Sequence, residues 1–453
     1  MFDFVVIGAG VSGEAAANYA LKRGTRVALV DRDLFGGSCA FWACMPSKTL
    51  LHAAEVRAHG GDYPWKRASD RRDYMIVREG RDYPDDGGHV RDIEKAGGTA
   101  IRGVARIAGP GRVEVRHDGM SRTLETRRIV IAVGSKGKIP SLPGLAEAGY
   151  WTNVEATSLR TLPKSTVILG AGPSGVEIAQ YLARFGVRTA IVSPRQLNPT
   201  DHPRSSAMLA DVLRADGVDV RLDVRAQRVR PRAGEGGAHV VELSDGSSVA
   251  AEIIQVHVGR TAAGALRELG LENVGVRYDD EDFLTVDDRL RVAEEVYAIG
   301  DTIGREISTH LGHYEGELAV KIALGDDVRP DFSATPRCVY TDPEFGAVGL
   351  RLEQAKERGI DAFEETADLS VSAKGYVTES GGHVTIVVDR REGVLVGAFI
   401  GGLGAAEAIH EAVLAIKLRT PLAVLAETVH AFPTTARSMG GLFAKVALEL
   451  RTS

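Results

Sequence analysis

The chain has 453 residues, too many for one hydrophobic core, and at about 100–200 residues per domain it divides into two to four units. Hydrophobic residues are 44% and charged residues 26%, which is globular rather than disordered or fibrous composition. With 55 basic against 61 acidic side chains the net charge is −6, which excludes a global basic field for nucleic acid or acidic membrane, and three cysteines do not make a secreted disulfide framework.

The first predicted element is a strand, Phe2 to Ile7, running straight into Gly8-Ala9-Gly10-Val11-Ser12-Gly13 and a helical run to Lys22. A second strand follows at Val27 to Val30. This start has neither the charged nor the long apolar region of a signal peptide, and apolar stretches such as Ile129 to Val133 are far shorter than the ~20 residues that span a bilayer. The expectation is a cytoplasmic protein with no membrane partner. The segment from His59 to Asp92 is dense in charge, with Asp-Tyr-Pro at 62–64 and again at 82–84, and predicts solvated helices with turns.

The same succession recurs downstream. Thr166 to Leu169 leads into Gly170-Ala171-Gly172-Pro173-Ser174-Gly175, a helical run to Arg184 and a strand at Thr189 to Val192. One G-x-G-x-x-G is a weak signal in a chain with 52 glycines. Strand, glycine loop, helix and strand repeated in register form the context a dinucleotide fingerprint requires. Gly8, Gly10, Gly13 and Gly170, Gly172, Gly175, with Ser174, let backbone N–H groups approach a pyrophosphate at a helix N-terminus. Two such units imply two nucleotides on one chain.

A Pro/Gly linker, Ile139 to Gly144, separates the first unit from the second, which ends near Val256 to Arg260. The strand entering Ile299-Gly300-Asp301 returns to the first unit. From about Thr335, strands at Val384 to Val388 and Leu395 to Phe399 and a helix at Ala405 to Leu418 predict a separate α/β unit. After the first unit's second strand comes Gly36-Gly37-Ser38-Cys39-Ala40-Phe41-Trp42-Ala43-Cys44-Met45-Pro46-Ser47-Lys48. A C-x4-C pair at a helix start, near a lysine, favours thiolate and suits a redox pair. Two unconnected thiols, or half a metal site, share that spacing, although no further His or Cys ligand lies nearby in sequence.

Taken together the chain resembles the flavin-dependent pyridine nucleotide–disulfide oxidoreductases, the group of lipoamide dehydrogenase, glutathione reductase and mercuric reductase. The resemblance rests on both glycine motifs, the Gly37 to Lys48 segment, Ile131-Ala132-Val133-Gly134-Ser135, Gly259-Arg260, Tyr297-Ala298-Ile299-Gly300-Asp301, Tyr340-Thr341-Asp342-Pro343-Glu344 and His430-Ala431-Phe432-Pro433-Thr434. It implies two Rossmann-like α/β domains and a C-terminal α/β dimerisation domain. FAD is expected on residues 1–149 and 259–334, NAD(P)H on 150–258, and dimerisation through 335–453 of a homodimer without metal. By position, Cys44 would face the flavin, Cys39 would meet substrate, and Lys48 would lie near flavin N5, paired with Glu177. Asp301 would hold the ribityl chain, and Asp31 would take the adenosine ribose. Gly37, Ser38, Gly134 and Gly259 belong to the cofactor-binding segments that the resemblance carries over.

Asp31 lies 23 positions after Gly8, and 23 positions after Gly170 stands Ser193. The acid that would repel a 2′-phosphate is absent there, Arg195 follows two residues on and Arg204 lies further along, which predicts NADPH over NADH. The C-terminus departs from the family. Its disulfide reductases carry a His–Glu dyad, written His-Pro with Glu four residues after the Pro. Here Phe432 precedes Pro433, and Arg437 holds the Glu place; His430 matches a position outside the dyad. Phe has no nitrogen to serve as a base and Arg stays protonated, so dithiol oxidation is expected to be slow. The extra C-terminal cysteine pair usual in mercuric reductases is not present in Leu448 to Ser453. Cys338 reads as a buried small hydrophobe. The expected acceptor is a specialised small-molecule disulfide, with direct transfer from flavin to a quinone, or a low-turnover redox sensor, as alternatives. Arg437 would stabilise the Cys39 thiolate or bind an anionic acceptor.

Overall fold

The computed structural model describes residues 1–452. Strand Phe2–Ile7 lies at the centre of the first sheet, paired in parallel with Val27–Asp31 on one side and with Met120–Ile131 on the other. Phe4 and Val6 enter the core on one face and Val5 and Ile7 that on the other, as a parallel strand buried on both faces requires. Helices Val11–Lys22 and Thr309–Ala323 pack together on the first face. An antiparallel meander, Val104–Gly109, Arg112–His117 and Met120–Ile131, leaves the sheet, and Val296–Ala298 later returns to pair in parallel with Met120–Ile131.

The second glycine motif opens its own four-stranded parallel sheet, in the order Asp219–Arg221, Arg188–Val192, Ser165–Leu169, Ile253–Val256, beside a three-stranded antiparallel sheet of residues 226–251. The C-terminal unit is a five-stranded antiparallel sheet in the order Pro336–Val339, Glu344–Gly349, Val394–Gly402, His383–Asp389, Ala362–Asp368. Helices Ala405–Lys417 and Thr435–Thr452 share its core.

The charged segment after His59 forms the expected pair of helices with turns and is largely exposed, but four of its charged side chains, Arg72, Asp73, Arg78 and Asp86, are buried. It forms helices Trp65–Met75 and Gly87–Lys95, with Ala68, Arg72, Ile76 and Ile93 buried. The wholly buried Arg72 bonds to Asp73 at 2.8 Å, to the Thr157 carbonyl and to the Leu159 carbonyl at 2.6 Å, while Arg78 reaches the same Asp73 carboxylate at 2.6 Å. The guanidinium groups satisfy carbonyls left open where helix Asn153–Thr157 ends, so the segment staples the first unit to the second. A count of charges cannot distinguish paired, buried charges from solvated ones.

Candidate functional site

In each glycine loop the three glycines separate into two roles. A Cβ on Gly8 would stand 2.2 Å from the Ala132 carbonyl oxygen and one on Gly13 would stand 1.8 Å from that of Gly8. At Gly170 and Gly175 the corresponding clashes are 2.3 Å with the His257 carbonyl oxygen and 2.4 Å with that of Gly170. A Cβ on Gly10 or Gly172 would meet nothing within 4 Å. The outer glycines are thus demanded by the protein's own backbone, and the middle one opens onto free space. Helices Val11–Lys22 and Pro173–Arg184 begin without a side-chain cap, which leaves first-turn N–H groups open to a phosphate. Both loops therefore fit a dinucleotide pyrophosphate.

One cleft of about 2100 Å3 joins them and passes Cys39, Cys44 and Lys48. At its first end the Asp31 carboxylate accepts the Ala9 N–H at 2.6 Å and the Asp33 N–H at 2.7 Å, and burial pushes its pKa up. Asp33, which the sequence reading does not single out, also lines the cleft and accepts the Tyr83 hydroxyl at 2.7 Å. Further along, the Ser135 hydroxyl donates to Asp301 at 2.6 Å. Arg260 bonds Ser135 twice at 2.7 Å, to hydroxyl and carbonyl, and lies 3.5 Å from the Asp301 carboxylate. Gly134 donates its N–H to the Thr302 hydroxyl at 3.1 Å.

The cysteines sit midway. Cys39 lies in the short helix Gly37–Phe41 and Cys44 opens helix Cys44–Ala58. Gly37 holds this segment against the first glycine loop, where an added Cβ would come 2.6 Å from the Gly10 Cα. Ser38 is exposed and lines the cleft. Lys48 follows Cys44 by one helical turn, on the same face, and its ammonium bonds Glu177 at 2.7 Å. Glu177, almost wholly buried, takes the Tyr340 N–H at 3.0 Å on its other oxygen, and the Lys48 ammonium stands 4.7 Å from the Tyr340 ring centre. Gln180 and Arg184 continue that helix face and fasten Asp342, through its backbone at 2.9 and 2.8 Å and its carboxylate at 2.8 Å. Helix Pro173–Arg184 thereby positions both Lys48 and the 340–342 segment.

Cys44 lies 3.2 Å from the Thr309 hydroxyl. Its pKa is held below the usual thiol value, chiefly by the neighbouring Cys39 thiol and then by the Thr309 hydroxyl and Lys48 charge, against the opposing effect of burial. Cys39 is pushed up by the Cys44 sulfur and by burial. The two shifts run in opposite directions and favour negative charge on Cys44 over Cys39. Thr309 has no sequence signal, because it is distant in the chain and opens an unrelated helix. Cys338 packs against the C-terminal hydrophobic core as a small hydrophobe, but it is only half-buried and also lines the same cleft, and burial pushes its thiol up to about 11.

At the second end, Ser174 lines the cleft while Ser193 is buried, its hydroxyl accepting the Arg195 N–H at 3.3 Å. Arg195 and Arg204 are exposed. Asn198 and Thr200, unmarked by any motif, line the cleft, and the Asn198 N–H ties back to the Ala171 carbonyl at 2.7 Å. Gly259 lines the cleft with a φ of +118°.

In the C-terminal unit Phe432 is 75% exposed and Arg437 is exposed. His430 does not replace the lost dyad. Its side chain is closed within its own subunit, Nε2 bonded to Glu411 at 2.8 Å and Nδ1 buried without a partner. Among the described residues no helix is long and apolar enough to cross a membrane.

The family model described as pyridine nucleotide-disulphide oxidoreductase matches residues 2–316, and that of the family's dimerisation domain matches residues 335–442. Similar proteins include a dihydrolipoyl dehydrogenase of Haloferax volcanii, 30% identical over 96% of this chain and 94% of that one. A mercuric reductase of Streptomyces lividans is 31% identical over 97% and 94%. Among solved structures, the HOCl-induced flavoprotein disulfide reductase RclA from Escherichia coli superposes with a TM-score of 0.85 at 25% identity, covering 98% of this chain and 100% of that one. LpdA from Mycobacterium tuberculosis superposes with a TM-score of 0.86 at 24% identity, covering 98% and 99%.

Proposed function

Since the chain belongs to the pyridine nucleotide–disulphide oxidoreductase family, and is an NAD(P)H-dependent FAD disulfide oxidoreductase, we propose that it works as a homodimer, prefers NADPH and reduces an acceptor that needs no His–Glu base. The observation that carries this reading is the cysteine pair, with Lys48 and Glu177 beside it, midway along a cleft that joins two dinucleotide cradles. FAD, when bound, supplies the two-electron link between nicotinamide and the cysteine pair.

The residues do the rest. Lys48 and the Thr309 hydroxyl hold negative charge on Cys44, and Glu177 fixes the Lys48 ammonium. Cys39 is the sulfur that meets acceptor. Its proton passes to the neighbouring Cys44 sulfur, the Cys39 thiolate attacks one sulfur of the acceptor disulfide, that S–S bond breaks, and the departing thiolate takes the proton back from Cys44. Cys44 then attacks Cys39, closes the Cys39–Cys44 disulfide and releases the second acceptor sulfur as thiolate. Two electrons have left the protein. Without a dyad the first step favours acceptors whose thiolates leave readily. Arg437, offered by the partner subunit, would favour anionic ones.

Support for NADPH is the absence of a carboxylate at Ser193 together with the exposed guanidinium groups of Arg195 and Arg204. Support for the homodimer is the dimerisation-domain match and the exposed apolar side chains Leu414, Leu418, Val424, Val429 and Phe432 on the same unit. A working dithiol in a chain with three cysteines suits a reducing, cytoplasmic setting. Because Phe432 supplies no base for dithiol chemistry, a second reading is direct transfer from flavin to a quinone, which needs none. Steady-state NADPH oxidation against disulfides and quinones, with native protein and Cys39→Ser, tests the proposal. Disulfide turnover that disappears in Cys39→Ser supports the thiol route; full activity in that variant with every acceptor overturns it.

A further inference from the structure

The second Asp-Tyr-Pro, residues 82–84, has no part in the chemistry described so far, yet its tyrosine touches two residues that line the cleft. The Tyr83 hydroxyl donates to Asp33 at 2.7 Å, and its ring stands 5.6 Å from that of Trp42, with the planes 54° apart. Trp42 lies between the two cysteines. It ends helix Gly37–Phe41, its N–H still bonded to the Ser38 carbonyl at 2.8 Å. Three residues separate it from Cys39, so the two side chains leave the helix on the same side, and both line the cleft.

The indole is held from several directions. It packs against the small core of Leu34, Phe41 and Ile76, and the Trp42 carbonyl accepts the Asn153 side-chain amide at 2.7 Å and the Thr157 hydroxyl at 3.3 Å. The loop that carries Tyr83 is pinned as well. The Arg160 guanidinium bonds the Arg81 carbonyl and reaches the Asp73 carboxylate at 3.3 Å, the same carboxylate that holds Arg72 and Arg78. The buried charges after His59 therefore end in one aromatic ring set against another. This packing leaves part of both rings free, since Tyr83 is 50% exposed and Trp42 only half-buried. An indole fixed three residues from Cys39 presents π surface where a disulfide must lie to be attacked.

We infer that Trp42 selects the acceptor: the disulfide that Cys39 attacks carries an aromatic ring close to its sulfur, and that ring packs on the free part of the indole. The inference rests on the thiol route through Cys39. Tyr83 acts through Trp42 and is a positioning residue. A well-placed ring pair favours an aromatic acceptor by roughly threefold to tenfold over one of equal size without π electrons.

The test compares bis(2-phenylethyl) disulfide with its cyclohexyl counterpart, each carrying a carboxylate for solubility, as acceptors for the FAD-loaded enzyme. The two match in leaving-thiol acidity and nearly in apolar area, and differ in the π face. Native kcat/KM should favour the phenyl compound roughly threefold to tenfold, and Trp42→Leu should bring that ratio below about twofold. Trp42→Phe should restore most of it. Tyr83→Leu, at a half-exposed position, should lower the ratio partway, whereas Tyr83→Phe should keep it. Thioether analogues, which cannot be reduced, should protect Cys39 of the reduced protein from iodoacetamide with the same ring preference. That measurement and Tyr83→Leu decide the matter even where Trp42→Leu fails to fold. A native ratio near one, a ratio unmoved in Trp42→Leu and Tyr83→Leu, or loss of bound flavin from Trp42→Leu overturns the selecting role of the indole. Disulfide turnover that survives Cys39→Ser overturns the thiol route itself.

Discussion

The two glycine-loop units are nearly superimposable in local geometry and opposite in rim chemistry. Gly8 and Gly170 share φ values of +104° and +103°, and both helices begin on an uncapped glycine with ψ near 180°. At the end of the second strand the first unit has Asp31, whose carboxylate binds the Ala9 N–H of its own glycine loop. The second has Ser193 and no such carboxylate, while in both units a backbone N–H from the loop after the second strand closes on the glycine loop, Gly36 on the Ala9 carbonyl at 2.8 Å and Asn198 on the Ala171 carbonyl at 2.7 Å. The cradle for a pyrophosphate is a backbone property and survives duplication, whereas the choice of dinucleotide resides in one side chain at the strand end and the loop after it.

The strongest way to break this comparison is to fill each cradle. Gly8→Ala and Gly170→Ala each place a Cβ against a carbonyl oxygen, at a φ that L-residues avoid. The first should lose flavin, and the second should keep flavin while its kcat/KM for NADPH falls on the order of 100-fold, a cost of about 3 kcal/mol. Absorbance spectra and steady-state kinetics check this. Loss of flavin from Gly170→Ala with NADPH affinity intact would reverse the assignment of the two units.

Exchanging the rim chemistry sharpens it. Ser193→Asp should move the preference toward NADH, and Arg195→Ala should narrow the native NADPH preference by roughly tenfold, since charged hydrogen bonds contribute about 1.5–3 kcal/mol. Equal use of both cofactors by the native enzyme would remove the distinction between the units.

Between the units, Thr309→Val removes the hydroxyl at Cys44 and should raise the midpoint of its alkylation by about one pH unit, the equivalent of one hydrogen bond. The sign follows from the depressed native value: losing a group that favours the thiolate leaves less thiolate at neutral pH. An unchanged alkylation profile in iodoacetamide titrations would show that Cys39 and Lys48 suffice.

The smallest effect is expected at Arg437, outside both units and exposed in its own subunit. Arg437→Ala should slow anionic acceptors about threefold more than neutral ones, as loss of one solvent-screened charge allows, and should raise the Cys39 alkylation midpoint slightly. Equal loss for all acceptors, with an unmoved midpoint, leaves Arg437 without a role at the site.

By itself the sequence determined the local features of this protein. Both glycine loops, the Cys39 and Cys44 segment, the Ser193 substitution and the loss of the C-terminal base are legible because each is written in contiguous residues whose backbone conformation or chemistry is constrained locally. Tertiary structure decided what converges on them. Lys48 meets Glu177 across 129 positions, Glu177 meets Tyr340 across 163, and Thr309 meets Cys44 across 265. The resemblance supplied the first of these contacts; no pattern in the chain marks the other two. The charged stretch after His59 shows the same limit from the other side. Composition reports how many charges are present, but whether Arg72 is solvated or buried depends on carbonyls at Thr157 and Leu159, which only the docking of one unit on another brings within reach.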